Sequence, residues 1–519
     1  MHASRANGES VDAATFRKRF SSRHYDTPFA AALRGHAERD TVSLMVPGHG
    51  LTGQGTSHKL ADFFGEHTLR LDVPGLIEGI DIGENSPLDQ AKELAAEAWG
   101  ARRTWFLTNG ASQANRMAAY AVRSLGIGDT IVGQRSAHSS FTDGVILADL
   151  TPHFIFPSID ERNGINHGVS PAALETALRE ASDAGKDLGA VYIISPSYFG
   201  AVADVAGLAD VAHSYGVPLV VDGAWGPHFG FHTELPESPT RLGADLVVSS
   251  THKMAGSFTQ SAMLHLCEGP FADRLETLVD RAFTLTQTTS PSALLLGSLD
   301  IARSEMATGF ELITESIEWV DRARRIIRDD GRYGIISDGF DAFDDIVDHD
   351  PLRISIEVSG TGFTGHEVRS TLIKQYGIVV EISTVSAIVA FIGPGKKPDL
   401  DRLIRALFEI AEIGAASQST GSATDSLPVL PPLPAPGPLA VRPRDAYFSA
   451  HETVTAKDAI GRVSSDALAA YPPGIPNVIP GEVITEETVR FLQAVAASPA
   501  GYVRGALDKE VGKFRVVKQ

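Results

Sequence analysis

Two short apolar runs in this chain each end in a reactive side chain. Val217-Pro218-Leu219-Val220-Val221-Asp222 is rich in β-branched residues and bounded by Gly216 and Gly223, which predicts a fully buried strand with Asp222 at its C-terminal end. Residues 244–250 (ADLVVSS) have the same character and deliver Thr251, His252 and Lys253 to the corresponding edge. In open α/β sheets, that edge is where ligands bind. A lysine amine forms a Schiff base with an aldehyde, and a buried carboxylate keeps a pyridine nitrogen protonated so that its ring draws electrons. Alone, each is an ordinary strand-end acid or surface amine; paired at matching sheet edges, they point to a pyridoxal 5'-phosphate (PLP) site.

A third element supplies an anion site. Residues 104–108 (TWFLT) read as a strand, Asn109-Gly110-Ala111-Ser112 as a tight turn and residues 113–125 (QANRMAAYAVRSL) as a helix. Backbone N–H groups and the positive end of a helix dipole favour an anion at such a junction, and Gly110 allows close approach. The Ser112 hydroxyl either adds a bond to that anion or simply caps the helix. Ser250 and Thr251, directly before the lysine, are further phosphate donors by position.

These groups need a scaffold. At 519 residues, with 43% hydrophobic and 21% charged side chains, the chain is sized for about three domains of ordinary globular composition. Residues 1–75 read as an N-terminal arm whose clearer helix opens at Pro28, a favourable first helical position. Between 76 and 310, strand-like runs alternate with helical stretches such as 87–99 and 171–184, the pattern of a doubly wound, mainly parallel sheet carrying the cofactor. Residues 311–415 form a small α+β domain, with a helix over 310–328, strands at 353–358 and 388–392, and a helix over 399–413. Residues 416–443, rich in Ser, Gly and Pro, read as a linker, and 444–519 as a C-terminal α+β domain.

The balance of 45 Lys and Arg against 64 Asp and Glu, a net charge of -19, argues against nucleic acid or an anionic membrane as partner. Cys267 is the only cysteine, so an intrachain disulfide is impossible and a reducing compartment is expected. No run of ~18 apolar residues occurs, and the N-terminal stretch through Arg17-Lys18-Arg19 has no apolar core, which predicts a cytoplasmic protein. No metal site is assigned.

Taken in order, the motifs resemble those of the PLP-dependent ornithine, lysine and arginine decarboxylases of fold type I, from about Val46 to Glu482. The resemblance is carried by Val46-Pro47-Gly48-His49, residues 79–83 and 106–115, Arg135-Ser136-Ala137-His138-Ser139-Ser140 and Ser195-Pro196-Ser197-Tyr198-Phe199-Gly200. It continues through residues 222–232 (DGAWGPHFGFH), Ser250-Thr251-His252-Lys253 and Thr288-Thr289-Ser290-Pro291-Ser292. Tyr471-Pro472-Pro473-Gly474-Ile475-Pro476 with Pro480-Gly481-Glu482 is similar to the signature of the family's C-terminal domain and separates it from general fold type I aminotransferases.

The resemblance implies Lys253 as the Schiff-base lysine, Asp222 as partner of the pyridine nitrogen, His138 as the group stacked on the ring, and Ala224 beneath it. Without that context His138 is an ordinary core or surface histidine. His252 would lie near the reacting Cα, with Lys253 or His252 the candidate proton donor. Gly110, Ala111, Ser112 and Ser250 would hold the phosphate, with Thr288 and Thr289 reaching it from a neighbouring subunit, so a homodimer or higher homo-oligomer with shared sites is expected. Glu381 and Glu482 stand where family members have acids near the distal end of the substrate; otherwise they are plain strand-end or surface acids.

Three positions depart from the common pattern: Gly50, Ser139 and Gly223. They are expected to bear on substrate choice. The expected activity is decarboxylation of a basic amino acid, arginine or lysine ahead of ornithine, yielding a polyamine precursor. Transamination or a lyase step on the same cofactor is the alternative, and a binding protein without activity the third.

Overall fold

A computed structural model describes residues 13–419, 433–471, 476–498 and 501–518. The β-branched runs assemble into a seven-stranded sheet in the order Arg103–Leu107, Ala262–Leu266, Leu246–Ser249, Leu219–Asp222, Leu188–Ile194, Thr130–Gln134 and Thr151–Ile155. Ala262–Leu266 runs antiparallel to both neighbours, and the other strands are parallel to one another.

Alternation along the strands feeds two cores. Val220 and Val248 face the helices Gly110–Ser124, Ser139–Ala148 and Ala272–Thr286, whereas Val221 and Val247 face Pro171–Asp183 and Val205–Ser214. Burial on both faces explains why these strands read as continuous apolar runs.

The helix Pro28–Ala37 opens at its proline and packs Phe29 and Leu33 into the largest core. Its orphan N–H groups at Phe29 and Ala30 donate to buried Asp300, at 2.9 and 3.2 Å. A second, antiparallel sheet runs Gly334–Ile335, Arg353–Glu357, Ala387–Phe391 and Ile382–Ser383. The helices Phe310–Asp330 and Leu400–Ser419 cover it through Val320, Ile327, Leu403 and Leu407. The latter helix runs past Ile413 into the segment expected to be linker, because Ala415 and Ala416 are strong helix formers.

At the C-terminal end, His451–Thr455 pairs with Lys513–Val517, and Leu468–Tyr471 lies between Pro476–Val478 and Tyr502–Arg504. The helix Glu486–Ala497 closes a small core around Leu492, Phe514 and Val516. Pro472 to Ile475 of the C-terminal signature, residues 420–432 of the expected linker and residues 1–12 of the expected N-terminal arm lie outside the described residues. No described helix is long and apolar enough to cross a membrane.

Candidate active site

The functional side chains follow the carboxyl ends of the parallel strands, where backbone leaves the ladder and side chains are free to converge. Asp222 ends one strand, Lys253 follows Leu246–Ser249 in the short helix Thr251–Met254, and His138 follows Thr130–Gln134 as the N-cap of Ser139–Ala148. They border a cavity of ≈ 380 Å³ that also takes in Gly110, Ala111, Ser112, Ala224, Ser250 and His252. A wider cavity of ≈ 930 Å³ shares Tyr198, Trp225, His252 and Lys253 with it and reaches Arg369, Glu381 and Tyr502. Lys253 thus stands where an inner chamber opens into an outer one.

In the inner chamber, the helix Gly110–Ser124 begins three residues earlier than expected. Asn109 occupies the N-cap position without a side-chain cap bond, and Gly110 takes φ 74°. Ser112 is therefore inside the first turn rather than at the cap, and the turn's N–H groups remain available to an anion.

Asp222 is buried and richly supplied with donors. Its Oδ2 accepts from the Tyr192 hydroxyl at 2.7 Å and from Asn115 Nδ2 at 3.1 Å, while its Oδ1 accepts from the Ala224 N–H at 3.1 Å. Burial, then the Asp222 charge, raise the Tyr192 hydroxyl well above its ordinary pKa, so it stays a donor. Burial lowers the His138 pKa, opposed by Asp222 and reinforced by Lys253 and Arg504, so the ring is neutral near pH 7. Its Nδ1 pairs with Ser140 Oγ at 2.8 Å, and Asn115 Nδ2 reaches the same hydroxyl at 2.9 Å. One amide therefore ties the aspartate to the histidine's support.

Lys253 Nζ sits 3.9 Å from the centroid of the Trp225 ring. Burial pulls its pKa from 10.5 to about 8; Asp222 opposes this, Arg353 adds to it, and Glu381 opposes it. Trp225 stacks on Phe391 at 4.7 Å, and Arg353 fixes the loop beneath by donating to the carbonyls of Ser197, Tyr198 and Trp225. His252 Nδ1 donates to the Ser261 carbonyl at 2.9 Å, which places the proton on that nitrogen and leaves Nε2 with its lone pair.

Of the residues singled out in the sequence, Lys253, Asp222, His138, His252, Ala224, Ser250 and Gly110 to Ser112 come together. Glu381 borders the outer chamber as an exposed side chain. Thr288 and Thr289 are exposed and border neither cavity of this single chain.

Glu482 is a correction. It borders neither cavity, and is locked in a bidentate pair with Arg135 at 2.6 and 2.9 Å, each side chain only 3% exposed. A carboxylate so buried needs a fixed cation, and Arg135 takes that role rather than a substrate.

Among the described residues, Gly50, Ser139 and Gly223 border neither cavity. A Cβ at Gly223 would lie 3.2 Å from the Val248 carbonyl oxygen, so this departure bears on strand packing. Sequence reasoning missed Tyr192 and Trp225 as site residues. The one signal for Tyr192 was a phenol in an otherwise apolar strand.

Comparison with known proteins agrees with this geometry. Solved structures of lysine decarboxylases from Pseudomonas aeruginosa and Francisella novicida superpose with TM-scores of 0.79 and 0.78, covering 95% of this chain and 80% and 81% of theirs, at 22% and 20% identity. The fold is thus that of PLP-dependent fold type I enzymes.

The family description "Orn/Lys/Arg decarboxylase, major domain" matches residues 27–399, and "Orn/Lys/Arg decarboxylase, C-terminal domain" matches 438–501. The chain belongs to the Orn/Lys/Arg decarboxylase family and is an amino-acid decarboxylase. It is 36% identical over 504 residues to the arginine decarboxylase of Bacillus subtilis, covering 95% of this chain and 98% of that protein. It is 25% identical to the lysine decarboxylase of Hafnia alvei, covering 99% and 82%.

Proposed function

We propose that the protein decarboxylates arginine with PLP held on Lys253. The observation that carries this reading is the convergence of Lys253, Asp222, His138 and the N-terminus of Gly110–Ser124, which has no side-chain cap, on one inner chamber that opens past Lys253 into a wider one.

The donor set fits that cofactor end to end. First-turn N–H groups of Gly110–Ser124 and the Ser112 and Ser250 hydroxyls suit a phosphate, Asp222 a protonated ring nitrogen, and Lys253 an aldehyde carbon. PLP, when bound, supplies an electron sink for the pair released as the Cα–carboxylate bond breaks. Tyr192, Asn115 and the Ala224 amide all donate to Asp222 and fix its carboxyl group in place. His138 offers a flat neutral face to the ring.

Lys253, with a pKa of about 8, keeps a usable uncharged fraction near neutrality for covalent attachment. Lys253, and His252 Nε2 after taking up a proton, both border the chamber and are the groups assigned to deliver a proton to Cα. Trp225, Tyr198 and Phe391 line the approach with apolar surface that excludes water. Glu381, in the outer chamber, suits the cationic end of the side chain.

Arginine is favoured over lysine because the relatives at 34 to 36% identity over most of this chain carry the name arginine decarboxylase, and those named lysine decarboxylase stand at 24 to 25%. The product amine makes a role in polyamine formation the natural context, in the cytoplasm. A homodimer is the natural assembly, with Thr288 and Thr289 of each subunit completing the other's phosphate site.

The test is release of carbon dioxide and amine from PLP-loaded protein given arginine, lysine and ornithine separately, with Lys253→Ala as control. Product from arginine alone, lost in the variant, is the expected result. PLP capture without any amine product would overturn the reading in favour of transamination or another lyase step.

A further inference from the structure

Glu482, once removed from the substrate site, needs another role, and its partner supplies one. Arg135 belongs to the turn Arg135-Ser136-Ala137-His138 that leads from the strand Thr130–Gln134 into the helix Ser139–Ala148. Its guanidinium spends three N–H groups on the C-terminal region: Nη1 and Nη2 on Glu482, and Nε on the Pro476 carbonyl at 3.1 Å. The planar group also lies over Phe154, 4.4 Å from the ring centroid. Glu482 is held in turn by the Ile479 N–H at 3.0 Å.

The same C-terminal region grips the far end of that helix. Arg442 donates to the Asp149 carbonyl, and Arg444 to the carbonyls of Ile146 and Leu147, at the C-terminal end of the helix. The near grip falls three residues before His138, and the far grip about 15 Å beyond it along the helix axis.

We infer that the Glu482–Arg135 pair is a positioning device: the C-terminal region fixes the turn that carries His138, and so sets the face His138 presents to the cofactor ring. The pair is rigid because both charges are withdrawn from water and each is left costly and unpaired if the other moves away. Arg suits the task as Lys would not, since its planar fork fixes direction as well as distance. The inference rests on the assignment of PLP to the inner chamber.

The experiment is a double-mutant cycle read as PLP affinity of the cofactor-free, full-length protein, for Glu482→Gln, His138→Ala and the two combined. Arg444→Ala serves as the docking control. Glu482→Gln is expected to weaken PLP binding about tenfold, Arg444→Ala less than about twofold, and the double variant no more than His138→Ala alone. Restoration of most of the affinity by Glu482→Asp would support the same conclusion.

Equal losses in Glu482→Gln and Arg444→Ala, or additive losses in the cycle, would reduce the pair to a docking contact and overturn the inference. If Glu482→Gln does not fold, Arg135→Lys, which keeps the charge but not the fork, carries the same cycle. Failure of the unaltered protein to bind PLP would instead strike at the cofactor assignment itself.

Discussion

The Tyr192 hydroxyl donates to Asp222 Oδ2 at 2.7 Å from the neighbouring parallel strand, two residues before the position in register with Asp222. With Asn115 on the same oxygen and the Ala224 amide on the other, that bond holds a buried acid in one orientation. Tyr192→Phe removes the donor and leaves Asn115 alone on that oxygen. PLP affinity of the cofactor-free protein is expected to fall by about tenfold, the cost of one hydrogen bond to a charged group. Equilibrium titration measures it, and unchanged affinity would show that Asn115 and the Ala224 amide suffice.

Lys253 makes stability depend on pH. Its folded pKa is lowered from 10.5 to about 8, so between those values the unfolded chain binds more protons and stability rises with pH. Below pH 8 both states carry the charge, and the fold bears a cost of about 3 kcal/mol. Lys253→Met is therefore expected to raise the unfolding temperature of the cofactor-free protein at pH 7, with the gain shrinking toward pH 10. Thermal scans at both values check this; a gap independent of pH would mean burial is not what lowers the lysine.

Trp225 acts against that lowering. Its ring face, 3.9 Å from Nζ, favours the ammonium by about 1 to 2 kcal/mol in a desolvated site. Trp225→Leu is expected to shift the pH dependence of covalent PLP capture downward by about one pH unit. Borohydride trapping across pH gives the curve, and an upward shift would assign the ring a purely desolvating role.

Glu381→Gln keeps the shape of the outer wall but removes its charge. The expected result is a KM for arginine raised about tenfold with kcat within about twofold, as for a contact made equally in ground and transition states. Steady-state kinetics decide it. A fall in kcat with KM unchanged would move Glu381 out of substrate recognition and into the chemistry.

Where the physics is local, the residues were legible in order. The runs ending in Asp222 and Lys253 are continuous β-branched stretches between glycines, and only a strand buried on both faces is built so. The helix starts at Pro28, Pro87 and Pro171 stand where expected because proline suits the first helical turn and little else in a helix. Asp222 and Lys253 could be named because each ends or closely follows a strand-like run, whereas His138 was named only through the family resemblance.

What stayed hidden depends on partners distant in sequence. Glu482 and Arg135 are 347 positions apart, and nothing in either segment says that the acid's charge is spent on that arginine. Tyr192 and Trp225 likewise acquire roles only when sheet order sets one strand beside Asp222 and brings a loop under Lys253. The sequence by itself determined which elements form and which reactive groups stand at their ends, since propensity and hydrophobic period act over a few residues. Only the tertiary structure decided which charges meet substrate and which meet each other, because pairing and desolvation depend on distances that local sequence does not encode.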